Sequence, residues 1–110
     1  MKTAPTVHEL RLNGFKVRVS HYRLFFRFCE WTGRRLEKIA YGNKYQDDLD
    51  WWLLSPTGGK TEVTITDKEG NDYYGVVYCS NKDPYVKAFG RKKALYRAYA
   101  LYCEANKNLN

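Results

Sequence analysis

Thr61-Glu62-Val63-Thr64-Ile65-Thr66-Asp67, then Lys68-Glu69-Gly70-Asn71, then Asp72-Tyr73-Tyr74-Gly75-Val76-Val77-Tyr78-Cys79 is the stretch that decides the fold. Its first part alternates, with Val63 and Ile65 on one face and Glu62, Thr64 and Thr66 on the other. Lys68 to Asn71 has the turn chemistry of a hairpin, with Gly70 free to take a left-handed conformation. The return strand places Tyr73, Gly75, Val77 and Cys79 on one face and Tyr74, Val76 and Tyr78 on the other. A lone hairpin is marginal in water, so its apolar face needs a covering element.

That element follows at once. Asn81-Lys82-Asp83-Pro84 is predicted to open a helix running to about Asn106. Asp83 suits the N-cap, where its carboxylate accepts from orphan amides of the first turn. Pro84 suits the first helical position, where its missing N–H is no loss. Val86, Phe89, Gly90, Ala94, Ala98, Leu101 and Ala105 recur at three- and four-residue spacing and form one apolar stripe. Lys87, Arg91, Lys92, Lys93 and Arg97 crowd the same helix, with no carboxylate until Glu104. Such a helix either invites an anion or presents a solvated basic face.

Upstream, Thr6-Val7-His8-Glu9 is a capping box that starts a short helix through Leu12, stopped at Asn13-Gly14. Phe15, Val17, Val19 and His21 then alternate with Lys16, Arg18, Ser20 and Tyr22. Beyond Tyr22 the apolar series becomes Leu24, Phe26 and Phe28, which implies a bulge or bend near His21-Tyr22-Arg23. On the first phase His21 and Arg23 lie on the apolar side, and buried polar groups need partners. Trp31 to Arg34 reads as a hairpin turn with Arg35 to Tyr41 returning; a short helix over 34–41 is the alternative. Gly42 to Asp50 is expected to be a polar loop, Trp51 to Leu54 an apolar run, and Ser55 to Gly59 its end. Asn106 to Asn110 reads as a frayed tail. The whole is predicted to be a single α+β domain over residues 1–110. An antiparallel β-sheet of about four strands would carry a short N-terminal helix and a long C-terminal helix packed on one face.

The net charge of +7 is uneven: residues 1–41 carry +6, residues 42–80 carry −4 and residues 81–110 carry +5. If the two basic ends converge, the surface favours phosphate-bearing partners; if they pair with the acidic middle, the charge means only solubility. Ten Tyr are more than one small core uses, so the surplus suits an oligomer interface or stacking on a flat ligand. Three widely spaced cysteines read as reduced thiols packed as small apolar residues, and no zinc set accompanies them. No hydrophobic leader or membrane-length apolar run is present, which points to a cytosolic protein without a membrane partner.

Catalytic constellations are thin. Pro56-Thr57-Gly58-Gly59-Lys60-Thr61 lacks the first glycine of a phosphate loop, and a strand follows it rather than a helix. Asp47, Asp48 and Asp50 suit a divalent cation, though a solvated acidic loop is the simpler reading. A binding site without metal or cofactor has better support. Arg91 and Arg97 offer planar forks for phosphate. Asn81 and Asp83 can read ribose hydroxyls or a base edge, Tyr74, Tyr78 or Tyr85 can stack on a base, and His21 and Arg23 join the candidates.

Leu10-Arg11, Gly14, the run Lys16 to Arg23, Gly58-Gly59-Lys60-Thr61, Gly75, Cys79, Asp83 and Gly90-Arg91-x-x-Ala94-x-x-Arg97-Ala98 resemble a group of short phage and prophage proteins. The resemblance covers the chain apart from residues 24–57. Within that group the chain is similar to the phage anti-Thoeris sponges, which bind a cyclic ADP-ribose defence signal of the bacterial host and hold it from its effector. The resemblance implies a non-enzymatic homo-oligomer in the host cytoplasm, with Asn81, Asp83, Arg91 and Arg97 in the ligand-contacting region. The competing expectation is a phage nucleic-acid-binding protein, or an inhibitor of a host nucleic-acid-binding defence complex.

Overall fold

The computed structural model describes residues 5–41 and 52–107. It is an α+β fold with the order α1 (Val7–Leu12), β1 (Lys16–Phe28), β2 (Arg35–Tyr41), β3 (Leu53–Thr66), β4 (Asp72–Pro84) and α2 (Lys87–Asn106). The four strands form one antiparallel sheet in the order β2-β1-β3-β4. The expected acidic loop, including Asp47, Asp48 and Asp50, lies outside the described residues, as do Asn108 to Asn110.

Helix α1 begins as its sequence requires. Thr6 Oγ1 accepts from the Glu9 amide at 3.1 Å, and Glu9 returns a carboxylate to the Thr6 amide at 3.4 Å. The β3–β4 turn also follows its sequence: Asp67 Oδ1 accepts from the Glu69 and Asn71 amides, both at 2.9 Å, and Gly70 adopts φ +87°. Residues 35–41 form a strand, with the Arg34 carbonyl accepting from the Cys29 amide at 2.8 Å to close the turn.

The core lies between α2 and one sheet face. Leu10, Val17, Val63, Ile65, Ala94, Leu95 and Ala98 are buried there, with Phe15, Val19, Tyr73, Val77 and Tyr99 packed around them. The expected helical stripe is corrected: α2 buries Gly90, Ala94, Leu95 and Ala98, whereas Val86, Phe89, Leu101 and Ala105 are exposed. Close approach explains the choice. A Cβ on Gly75 would stand 2.1 Å from the Ala94 carbonyl oxygen, and one on Gly90 would stand 2.4 Å from Thr61 Oγ1. The helix therefore rests its small residues on the sheet and turns several larger ones outward.

The start of α2 is also corrected. Its N-cap is Val86, without a side-chain cap, and Asp83 and Pro84 belong to the end of β4. Pro84 pairs with Thr57, and the Tyr85 amide donates to the Pro56 carbonyl at 3.0 Å, so the sheet ladder outcompetes the local capping signal. Pro84 lies on an edge strand, where a missing donor is tolerated.

The irregularity expected near His21-Tyr22-Arg23 stands at Arg23/Phe25, but the extra residues lie on the neighbouring strand. Strand β1 pairs with β2 without interruption from Tyr22 to Phe28. Its pairing with β3 instead jumps from Arg23↔Gly59 to Phe25↔Leu54, so the extra residues Ser55 to Gly58 belong to β3. Strand β3 therefore runs through the segment expected to be a break. Because β1 keeps its alternation, Leu24, Phe26 and Phe28 lie on the sheet face opposite Val17, Val19 and His21. Leu24 is buried, whereas Phe28 and the ladder partners Ile39 (of Leu24) and Leu53 (of Phe26) are exposed. Cys29 and Cys79 are half-buried, but Cys103 is exposed rather than packed; all three are free thiols. Among the described residues no helix is long and apolar enough to cross a membrane.

Candidate functional site

Beyond the N-terminal end of α2 the helix-covered face changes from apolar to polar. Thr61 continues the inward series of Val63 and Ile65 but brings a hydroxyl, and it is only 1 % exposed. It pairs across the ladder with His21. Tyr85, leaving β4, sends its hydroxyl between them. That oxygen lies 2.7 Å from His21 Nδ1 and 2.9 Å from Thr61 Oγ1, and its proton is donated to the Lys60 carbonyl at 3.1 Å. With that proton committed, His21 Nδ1–H donates to Tyr85 and is shared with Thr61 Oγ1 at 3.2 Å, while the Thr61 hydroxyl donates to Tyr85. Nε2 is then the unprotonated nitrogen of the neutral imidazole.

Glycine makes room for this arrangement. Gly59 sits at φ +130°, and a Cβ there would lie 2.9 Å from Tyr85 Cδ2 and 2.4 Å from the Tyr22 carbonyl oxygen. A side chain at residue 59 would expel the Tyr85 ring from the strand surface.

Arg23, two residues along β1 from His21, stacks its guanidinium 4.5 Å from the centre of the Tyr85 ring. One Nη donates to the Ser55 carbonyl at 3.3 Å. Its Nε is buried and finds no hydrogen-bond partner among the described residues. A buried, unsatisfied charged donor is costly, and the cost falls when an acceptor arrives. Lys87 and Arg91 bring their charges from the first turns of α2. The His21 pKa lies below the ordinary histidine value, first because burial disfavours the cation and then through repulsion from Lys87, Arg91 and Arg23. Burial chiefly raises the Tyr85 pKa. Among the described residues the charges acting on His21 are all positive, and the site is a cationic cluster around an aromatic ring.

The sequence-derived site residues divide accordingly. His21, Arg23, Tyr85 and Arg91 converge. Asn81 lies beside Gly58 and Leu24, its Oδ1 3.0 Å from where a Gly58 Cβ would be. Asp83 is exposed, and its backbone carbonyl accepts from the Cys79 thiol at 3.4 Å. Arg97 is committed to the Val76 carbonyl at 2.6 Å. Tyr74 occupies the other sheet face, where it donates to Glu62. Thr61, Gly59 and Lys87 were absent from the sequence-derived set. Thr61 carried a readable signal, a hydroxyl residue at an inward position of an otherwise apolar series. Among the described residues no cluster of His, Cys, Asp and Glu could hold a metal ion.

The chain matches no protein-family model, no curated protein and no solved structure.

Proposed function

We propose that this protein is a phage-encoded sponge that binds a cyclic nucleotide of the cyclic ADP-ribose type and sequesters it in the host cytoplasm without turnover. The carrying observation is Arg23: a half-buried guanidinium stacked on Tyr85 and set among cations, with its Nε unpaired among the described residues. A phosphate oxygen accepts from the guanidinium, and further phosphate charge offsets the mutual repulsion of Arg23, Lys87 and Arg91. The Tyr85 ring gives a surface beside which a base or ribose can pack, and His21 Nε2 accepts from a ribose hydroxyl. Retention needs no bond-breaking group, which suits a binder rather than an enzyme. Self-association is part of the proposal. Phe28, Ile39 and Leu53 are exposed on one face of the β1–β2–β3 extension, beside the turn that holds Trp31, itself 94 % exposed, and a second copy would cover that face.

The test is thermal denaturation with cyclic ADP-ribose isomers and cyclic dinucleotides, followed by recovery of the ligand. A ligand at about 100 times its Kd stabilises the native state by roughly 2.7 kcal/mol. The expected result is a large melting-temperature rise with one cyclic nucleotide, recovered intact, and its loss in Arg23→Ala. No shift with any member, or an undiminished shift in Arg23→Ala, overturns the proposal.

A further inference from the structure

The face of the sheet away from α2 carries a second pattern, independent of the cluster around Tyr85. Residues facing one another across three strands form successive rows. Tyr22, Lys60 and Tyr78 form one, Ser20, Glu62 and Val76 the next, Arg18, Thr64 and Tyr74 the third, and Lys16, Thr66 and Asp72 the last. Tyr78 and Tyr74 are 70 % and 49 % exposed, which leaves broad ring surface in water. Each shares its row with a cation, Lys60 for Tyr78 and Arg18 for Tyr74. The two tyrosines are four residues apart on β4, roughly 13 Å at the ordinary strand rise.

The acids of this face are already engaged. Glu62 accepts from the Tyr74 hydroxyl, also from Tyr22, and pairs with Lys60 at 3.4 Å. The bond to Glu62 raises the Tyr74 pKa to about 12 and lowers that of Glu62. Asp72 accepts from the Thr66 hydroxyl at 2.6 Å. Tyr74 and Tyr22 sit diagonally from Glu62 in the ladder, so reaching it makes both side chains lean along the sheet. Lys60 Nζ lies 4.7 Å from the Tyr22 ring centre and 6.0 Å from that of Tyr78, a cation between two π faces.

We infer that this open face binds single-stranded nucleic acid, with one base on Tyr78, another on Tyr74, and Lys60 and Arg18 meeting the intervening phosphates. Stacking is indifferent to base identity, and exposed rings paired with cations are what such binding requires. A duplex hides its base faces and offers these rings nothing. A second protein copy is a poorer match, because interface cores are depleted of charge and this surface has a cation in three of its four rows. The chain's net charge of +7 favours a polyanion over an acidic small molecule at so open a surface.

The experiment is fluorescence anisotropy with labelled ten-nucleotide oligo-dT and oligo-U and a duplex of equal length, at low and physiological salt. Single strands are expected to bind at least tenfold tighter than the duplex. Tyr78→Ala should weaken binding at least about fivefold, within the range for one lost stacking partner, whereas Tyr78→Phe keeps the ring and should bind as the parent does. Lys60→Ala should reduce the salt dependence by close to one charge. Melting curves of each variant establish that it is folded. Equal or tighter duplex binding, or unchanged affinity in folded Tyr78→Ala, overturns the inference. So does loss of oligonucleotide binding in Arg91→Ala with retention in Tyr78→Ala, which assigns the nucleic acid to the cationic cluster around Tyr85. Because Arg23→Ala acts on the opposite face, it should leave oligonucleotide affinity intact whatever the fate of the cyclic-nucleotide proposal.

Discussion

Gly75→Ala is the sharpest test of how α2 is seated. The added Cβ would lie 2.1 Å from the Ala94 carbonyl oxygen and 2.7 Å from the Ala98 amide nitrogen. Both atoms are helix backbone, so no side-chain rotation relieves the clash. Ordinary contact begins at 3.4 Å, so relief at Ala94 alone requires the helix to lift by about 1.3 Å. A radial gap of ~0.5–1 Å already forfeits a quarter to a half of a dispersion contact. Ala94, Leu95 and Ala98 would lose much of their contact with Val63 and Ile65 together. The expected cost is ~3 kcal/mol or more, at or beyond the upper end of ordinary overpacking. For a chain of this length that is a fall in Tm of roughly 10–20 °C. Gly70→Ala is the control: it sits at φ +87° with nothing within 4 Å of an added Cβ, so it costs only local strain, roughly 1 kcal/mol. Urea and thermal unfolding followed by circular dichroism measure both. A Gly75→Ala protein within about 1 kcal/mol of the parent would refute the flush helix–sheet contact.

Tyr85→Phe removes the hydroxyl shared by His21, Thr61 and the Lys60 carbonyl but keeps the ring under Arg23. Unfolding should show a loss of about 1–2 kcal/mol, and cyclic-nucleotide binding should fall less than in Arg23→Ala. The His21 pKa is lowered in the fold, so the unfolded chain binds more protons between the folded value and about 6.5. Stability should therefore be flat above that range and decline as pH falls through it, and His21→Gln should remove the decline. Because the ribose hydroxyl donates to a neutral Nε2, cyclic-nucleotide affinity measured calorimetrically should weaken as pH falls below about 6.5, again only with His21 present. Ile65→Ala, at a site with no solvent exposure, should cost about 2–5 kcal/mol in urea unfolding.

Much of the architecture was legible because local chemistry and tertiary structure agree in those places. The Thr6–Glu9 box, the Gly70 turn and the alternation of Val63 and Ile65 each act within a few residues. The faces of β4 were readable for the same reason, with Gly75 and Val77 turned to the helix and Tyr74 and Tyr78 away from it. The misreadings occurred where a distant partner overrides a local preference. Asp83-Pro84 has sound capping chemistry, yet Pro84 pairs with Thr57 and the Tyr85 amide with Pro56. Phe89 and Leu101 fit the helical period, yet the sheet accepts only small residues where Gly75 and Thr61 approach α2. Of the candidate site residues, His21 and Arg23 stood out as polar groups on an apolar face. Nothing in the local sequence linked them to Tyr85, which is 62 residues from Arg23. Nor did spacing alone separate Arg91, beside His21, from Arg97, which the Val76 carbonyl holds at the sheet edge.

By itself the sequence determined the elements, the hairpin turn, the two-faced strands and the excess of positive charge, because propensity, capping and period act over a few residues. Only the tertiary structure decided which strands neighbour one another and that β3 rather than β1 carries the extra residues. It also decided which helix residues touch the sheet and which cations surround one tyrosine. Those outcomes depend on backbone approach distances and on hydrogen bonds between residues far apart in the chain, and such geometry exists only after the sheet has formed and the helix has settled on it.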